Sequence, residues 1–285
     1  MNPPGTNMCF ANAAASCLLN IPELLSIFKE TRCINPNSVL GELSRLSKMT
    51  NYSVATTERL RCIVETKCFE NGQWSKNFNN QRQHDSGEFL QSSLEHLWAD
   101  PSTPGALKEE VFGGLSQNSL VCECEHEEEL QVQHMPEVIP IQIKGDSIQS
   151  CLNDYFAPEH VEWNCPSCKR SPVLRKSKII TEPNTLILQL MRYKYDEIGQ
   201  NVMKLSGEVN CPANLVIPNG LSYTLISVIN HIGENTKSGH YHMVLHDQNC
   251  GQFTLIDDCA VSKVEDFNQE MNKLSYIFIF RKNYQ

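Results

Sequence analysis

The chain has 285 residues, 40% of them hydrophobic, enough for a large core shared by two or three subdomains. Its net charge of −9 argues against nucleic acid, whose phosphates need basic surface, and no apolar run approaches the roughly 20 residues of a membrane span. Thirteen cysteines, an odd number spread over a long chain, argue against a secreted disulfide scaffold and for free thiols plus a metal site in a reducing compartment, cytoplasm or nucleus.

The start, Met1-Asn2-Pro3-Pro4, lacks the basic and apolar regions of a signal peptide. Turn-like residues then lead into Asn7-Met8-Cys9-Phe10 and an alanine-rich run. Alanine has the best helix propensity, so a helix is predicted over 11–19. Cys9 then falls at or just before a helix N-terminus, where the macrodipole and unpaired N–H groups stabilise a thiolate. On this stretch alone a buried, inert thiol is the competing reading. Pro22 suits the first position of a second helix that places Leu24, Leu25 and Phe28 on one face. Amphipathic segments follow over 39–49 and 57–64. Residues 67–83, polar and rich in Asn and Gln, read as a surface loop. Asp85, three residues before Glu88, opens a further helix in the manner of a capping box, with Phe89, Leu90, Leu94, Leu97 and Trp98 at helical spacing. Capping is the local reading of both acids.

Pro101 to Pro104 marks a boundary. Beyond it, strands are predicted over 130–133, 139–143, 178–180, 185–190, 223–229 and 276–280, with a short helix near 147–155. No internal repeat is visible.

Two constellations carry chemistry. Cys165-Pro166-Ser167-Cys168 is a CxxC, and upstream lies Cys122-Glu123-Cys124-Glu125-His126. Two thiolate pairs from separate hairpins close a tetrahedral structural zinc site. The first pair is one residue tighter than usual, so the fourth ligand stays open: Cys122 and Cys124 both bind, or His126 replaces one of them. Unrelated free thiols are the alternative. A redox CxxC is disfavoured, because Cys165 does not sit between strand and helix of a βαβ unit.

The second constellation is Gly239-His240-Tyr241, which leads from a loop into a strand, and Ile256-Asp257-Asp258, which ends the next. A hairpin at 247–251 pairs the two strands antiparallel and makes His240 and Asp257 neighbours. A carboxylate orienting an imidazole that deprotonates a thiol is nucleophile–base–orienter logic. Taken alone, His240 reads as a structural histidine; with Cys9 and Asp257 it does not.

These stretches resemble the ubiquitin-specific protease family, papain-like cysteine peptidases that release ubiquitin from lysine side chains. The family's Cys box resembles Asn7-Met8-Cys9-Phe10-Ala11-Asn12-Ala13 with Cys17-Leu18, and its second box Gln83-His84-Asp85-Ser86-Gly87-Glu88-Phe89-Leu90. Its LKRF step is similar to Leu190-Met191-Arg192-Tyr193. Its His box is similar to Ile229-Asn230-His231-Ile232-Gly233, Gly239-His240-Tyr241 and Ile256-Asp257-Asp258, and its closing strand to Tyr276-Ile277-Phe278-Ile279-Phe280-Arg281. The boxes run in family order over nearly the whole chain.

The resemblance implies one α+β catalytic domain over 1–285, built as a hand. A helical thumb (1–105) would face fingers with a zinc site (106–185) and a palm with the His box (186–285), both antiparallel sheets. It implies Cys9 as nucleophile, His240 as general base and acid, Asp257 as orienter and Asp258 as a supporting carboxylate. Structural zinc would be held by Cys122, Cys124, Cys165 and Cys168, with no catalytic cofactor. Partners would be ubiquitin and ubiquitinated proteins, not nucleic acid or membrane. Asp85 and Glu88 would pair with arginines of the ubiquitin tail, overriding capping as their sole role, and His231 and Tyr241 would border its Gly-Gly passage.

Departures exist. The family's oxyanion asparagine, five residues before the cysteine, is replaced by Pro4, and Asn2 is out of register. Gly87 stands where the second box carries a bulkier residue. Losing one oxyanion donor costs about 10²–10³ in turnover without preventing binding. A weakly active ubiquitin-binding scaffold is therefore the alternative; a zinc-ribbon adaptor leaves the ordered boxes unexplained.

Overall fold

The computed structural model describes residues 7–32, 35–49, 57–70, 73–74, 76–79, 81–196, 201–205, 207–235, 238–267 and 274–283. The first part is helical: α1 (Cys9–Leu19), α2 (Pro22–Glu30), α3 (Val39–Ser47), α4 (Glu58–Lys67), α5 (Ser86–Trp98) and α6 (Leu107–Phe112). A short ladder of β1 (Phe69–Glu70) and β2 (Gln73–Trp74) lies between α4 and α5. There follow β3 (Leu115–Val121), β4 (Glu127–Glu129), β5 (Gln133–His134), β6 (Val138–Ile141), α7 (Ile148–Tyr155), β7 (Glu159–Val161) and β8 (Val173–Thr181). The last part holds β9 (Thr185–Leu190), β10 (Tyr193–Asp196), β11 (Asn201–Lys204), β12 (Asn214–Val216), β13 (Ser222–Asn235), β14 (Ser238–Asp247), β15 (Gln252–Asp257), β16 (Ala260–Val264) and β17 (Ser275–Lys282).

The α+β hand is present. The larger sheet runs β16-β15-β14-β13-β17-β9-β6, with β12 on β13; the smaller runs β4-β3-β8-β7, with β5 on β3. All pairings are antiparallel except β6 with β9. Although β6 falls within the segment predicted for the fingers, it joins the larger sheet. The strand expected over 130–133 divides instead: β4 ends at Glu129 and β5 begins at Gln133, both on β3.

The larger sheet is covered on both faces, so its central strands read as apolar runs rather than as alternation. The period-2 rule still sorts them. Ile277 and Ile279 of β17 pack towards the helices, with Ile229, Met243 and Ile187, and a register shift against β13 turns Tyr276 to the same side. Phe278 and Phe280 pack on the other face, with Val228, Val244, Leu188 and Cys151 and Leu152 of α7. Ser147 caps α7 in a capping box with Ser150.

Helix α1 lies between α5 and β14. It is apolar almost all round, as expected of a fully buried helix. Ala13 and Ser16 lie against Tyr241, His242 and Ile256, where small side chains let sheet and helix approach closely. Ala11 and Ala14 are completely buried, so the elements around α1 are in close contact with it. Cys17, on the same helix, has its thiol pushed far above its ordinary range by burial. The loop expected over 67–83 is not all surface. Phe78 is buried and packs edge-on to Phe89, with ring centroids 5.2 Å apart, while Phe89 also meets Phe10 at 5.3 Å. An aromatic anchor among polar residues escapes a compositional reading. Among the described residues, no single helix is long and apolar enough to cross a membrane.

Ala14→Leu inserts three carbons into this contact. It should cost about 1–3 kcal/mol of stability, read as a lower denaturant midpoint at unchanged slope.

Candidate active site

Asn7 takes a left-handed conformation (φ 46°) and turns the chain into α1, so Cys9 becomes the first residue of the helix. Its backbone N–H is among the donors that a helix leaves without an intrahelical partner. The side chain is 5% exposed and its thiol is hydrogen-bonded to the His240 ring.

His240 lies near the start of β14, opposite Ile232 of β13. The preceding Gly239 (φ 157°) has to be glycine, because a Cβ there would sit 2.4 Å from His231 Nε2 and 2.5 Å from the Ile232 carbonyl oxygen. The β14–β15 register pairs Met243 with Ile256, which brings Asp257 beside His240. Asp257 Oδ1 lies 2.5 Å from His240 Nε2. Cys9, His240 and Asp257 thus form one hydrogen-bonded row across sequence separations of 231 and 17 positions.

The row favours the imidazolium. The Cys9 hydrogen bond, with Asp257 behind it, outweighs desolvation and raises the His240 pKa to about 9 from its ordinary 6.5. Its stabilising contribution is therefore complete below about pH 6.5 and is lost as pH rises through about 9. Neighbouring His242 differs: burial lowers its pKa, and its Nε2 lies 2.8 Å from Asn230 Nδ2.

Asp258 (φ 51°) turns the chain after β15 and accepts a 2.6 Å hydrogen bond from Asn12 Nδ2. Asn12 Oδ1 in turn accepts from the Thr57 hydroxyl at the start of α4. This tether holds α1 to the turn that carries the orienting carboxylate. Sequence reasoning did not single out Asn12; its signal was a polar residue inside an otherwise apolar helix.

A cleft of about 1050 Å³ opens between the helices and the larger sheet, lined in part by Asn7, His84, Asp85, Glu88, Gln189 and Tyr276. Asp85 is heavily engaged. Its Oδ1 caps α5 by accepting from the Glu88 N–H (2.9 Å), and its Oδ2 accepts from the Tyr241 (3.1 Å) and Tyr276 (2.7 Å) hydroxyls. Burial first, and then the Asp85 charge, hold both phenols well above their usual range. Glu88 is exposed on the first turn of α5. His231 and Tyr241, expected to border the cleft, are 1% and 3% exposed and lie behind its wall. Burial, then Lys204 and His240, lower the His231 pKa to about 4, and its Nδ1 sits 2.7 Å from the Tyr193 hydroxyl. Gly87 has a local reason: a Cβ there would lie 2.7 Å from the Gln189 amide nitrogen, which donates to Tyr276 at 2.6 Å. Pro4 and Asn2 lie outside the described residues.

The four expected cysteines converge at the tips of two neighbouring hairpins. All four sulfurs lie within 4.8 Å of one another, with Cys122–Cys168 at 3.4 Å and Cys124–Cys165 at 3.6 Å. A tetrahedral zinc with sulfurs at about 2.3 Å needs edges of about 3.8 Å, so a small expansion admits the ion. Both turns share one device: the residue after the second cysteine, Glu125 or Lys169, is left-handed. Each then closes a hydrogen bond back to the first cysteine's carbonyl, Glu125 to Cys122 and Lys169 to Cys165. The short first spacing therefore still forms a knuckle. His126 is not part of the four-sulfur group.

Comparison with known proteins agrees with this architecture. A family model described as ubiquitin carboxyl-terminal hydrolase matches residues 5–280. Ubiquitin carboxyl-terminal hydrolase 26 of Oryza sativa subsp. japonica is 28% identical over 90% of this chain and 25% of its own length. Ubiquitin carboxyl-terminal hydrolase 17-like protein B of Mus musculus is 25% identical over 96% of this chain and 62% of its own length. The chain thus spans less than two thirds of the curated relatives it matches. Among solved structures, the Ubp8 chain of a SAGA DUB module bound to monoubiquitin superposes with a TM-score of 0.81 at 18% identity, over 99% of this chain and 68% of that one. At that identity the likeness establishes the fold.

Asp257→Asn removes a charge that favours the imidazolium, so the His240 pKa should fall below about 9. Titration of the His240 ring followed by NMR in both proteins checks this. Zinc should be present at one equivalent by elemental analysis. Its removal by chelator should lower thermal stability, since structural zinc binding is coupled to folding.

Proposed function

The chain belongs to the ubiquitin carboxyl-terminal hydrolase family, and from that premise we propose that it is a thiol deubiquitinase. It hydrolyses the isopeptide or peptide bond that follows the C-terminal glycine of ubiquitin. The observation that carries this reading is the hydrogen-bonded row Cys9–His240–Asp257 beside an open cleft.

In this mechanism the Cys9 thiolate attacks the glycine carbonyl carbon, and the oxyanion accepts the Cys9 backbone N–H. His240, held by Asp257, gives its proton to the departing lysine amine, and the carbon–nitrogen bond breaks to leave a thioester. His240 then takes a proton from water, whose oxygen attacks the thioester. The second tetrahedral intermediate collapses, releasing the ubiquitin carboxylate and restoring the thiolate–imidazolium pair. Asp258, through Asn12, keeps α1 seated so that sulfur and ring stay in contact.

The four-cysteine cluster is the proposed zinc site of the fingers, where the ion would be structural and take no part in the reaction. The helical part up to residue 105 would act as thumb, 106–185 mainly as fingers and 186–285 mainly as palm. Ubiquitin and ubiquitinated proteins are the proposed partners, in cytoplasm or nucleus. Glu88 is the better placed of the two predicted acids to meet an arginine of the tail, because Asp85 already accepts three hydrogen bonds.

Pro4 supports one second reading, a ubiquitin-binding scaffold with little turnover. One experiment separates them. A ubiquitin carrying a C-terminal electrophile should form an adduct with the wild-type chain and none with Cys9→Ala. A fluorogenic ubiquitin amide should be turned over at the order of 1 s⁻¹ or faster. Binding without adduct or turnover would establish the scaffold, and an adduct on Cys9→Ala would remove Cys9 as nucleophile.

A further inference from the structure

The end of the hairpin that carries His240 is held from one edge by a side chain. On the side of β13 away from β14, pairing with β17 reaches Asn230 opposite Ser275, and the His231 N–H donates to the Leu274 carbonyl at 2.8 Å. Beyond that point, among the described residues, one side chain meets this edge. Lys204, the last residue of β11, donates from Nζ to the His231 carbonyl (2.6 Å) and the Gly233 carbonyl (3.0 Å). The same ammonium stands 3.3 Å from His231 Nδ1. Alternate carbonyls of a strand face the same edge, so one ammonium holds two residues of that edge at once.

The far side of this contact reaches the proposed base. His231 is paired with Tyr241, and Ile232 with His240, and the pairing becomes irregular between Ile232 and Asn235. The His231 ring lies against Gly239, with no room for even a Cβ between them. Any displacement of the His231–Gly233 backbone therefore moves Gly239 and, with it, His240.

We propose that Lys204 is a positioning residue for His240, an ammonium clamp that holds the end of the β13–β14 hairpin in the register where the imidazole meets Cys9. The proposal rests on the thiol-hydrolase reading for its kinetic consequence, but the clamp is a property of the fold. The charged and titratable groups around Lys204 are Arg192, His231 and Tyr193, with His240 behind His231. Burial, and then the Arg192 charge, depress the Lys204 pKa to about 8. As pH rises through that value the clamp loses its charge and weakens, before His240 itself titrates.

Lys204→Met and Lys204→Arg are compared with the wild-type chain, each checked by thermal melting for folding. Hydrolysis of a fluorogenic ubiquitin amide is followed between about pH 6 and 10, and alkylation of Cys9 by iodoacetamide is followed in parallel by peptide mass spectrometry. At pH 7 Lys204→Met should lower kcat by about tenfold or more with KM within about twofold, since misplaced reacting groups cost rate rather than binding. Lys204→Arg, whose guanidinium keeps its proton, should restore kcat to within about threefold and remove any decline near pH 8. A kcat for folded Lys204→Met within about twofold of wild type overturns the proposal, as does a folded Lys204→Arg no better than Lys204→Met. The alkylation arm needs no ubiquitin. If alkylation falls in Lys204→Met while no variant hydrolyses ubiquitin, the clamp stands and the deubiquitinase reading falls. If hydrolysis is normal and alkylation is unchanged in Lys204→Met, the clamp falls and that reading stands.

Discussion

The site depends on one packing constraint: α1 lies directly on β14, close enough for a side chain on its first turn to touch one on the strand. Backbones approach this closely only where the side chains between them are small. The alanines of α1 serve that purpose, and the Asn12–Asp258 hydrogen bond fixes how the helix is rotated and slid along the strand. Cys9 thereby meets His240 without any rearrangement. A larger residue on the sheet-facing side would lift the helix and separate sulfur from ring while leaving most of the core in place.

Polar groups behind the site are organised by the same economy of contacts. Asp85 caps α5 and receives two phenols from the sheet, so one carboxylate ties the helical layer to the larger sheet. Gly87 leaves space for Gln189, which steadies Tyr276, one of those phenols. His231 is kept neutral by burial and by two nearby cations, whereas His240, nine positions later, is kept charged by a thiol and a carboxylate. Two histidines on adjacent strands thus stand on opposite sides of neutrality because of what surrounds each ring.

Much of this was legible in the residues. Helix propensity located α1, proline at a first turn located α2, and Asp85 with Glu88 located α5. The hairpin at 247–251 was enough to bring His240 and Asp257 together. What stayed hidden were contacts made over long separations. Asn12 finds Asp258 only once α1 is seated, and Phe78 becomes core only once α5 packs over it. Composition could not assign β6 to the larger sheet, because its partner, β9, lies beyond α7, β7 and β8 in the chain. The tight Cys122–Cys124 spacing left the fourth sulfur open until the left-handed residue after it was seen to close the turn.

The order of the strands carries a consequence for biosynthesis. Strand β17, which follows every other described strand, sits near the middle of the larger sheet between β13 and β9, while Cys9 belongs to α1. A ribosome therefore releases α1 long before the surface that buries it exists. Until residues 275–282 are threaded into place, β13 lacks a neighbour and the sheet bearing the imidazole has no continuous centre. The contact between Cys9 and His240 therefore forms late, once β17 has joined the sheet.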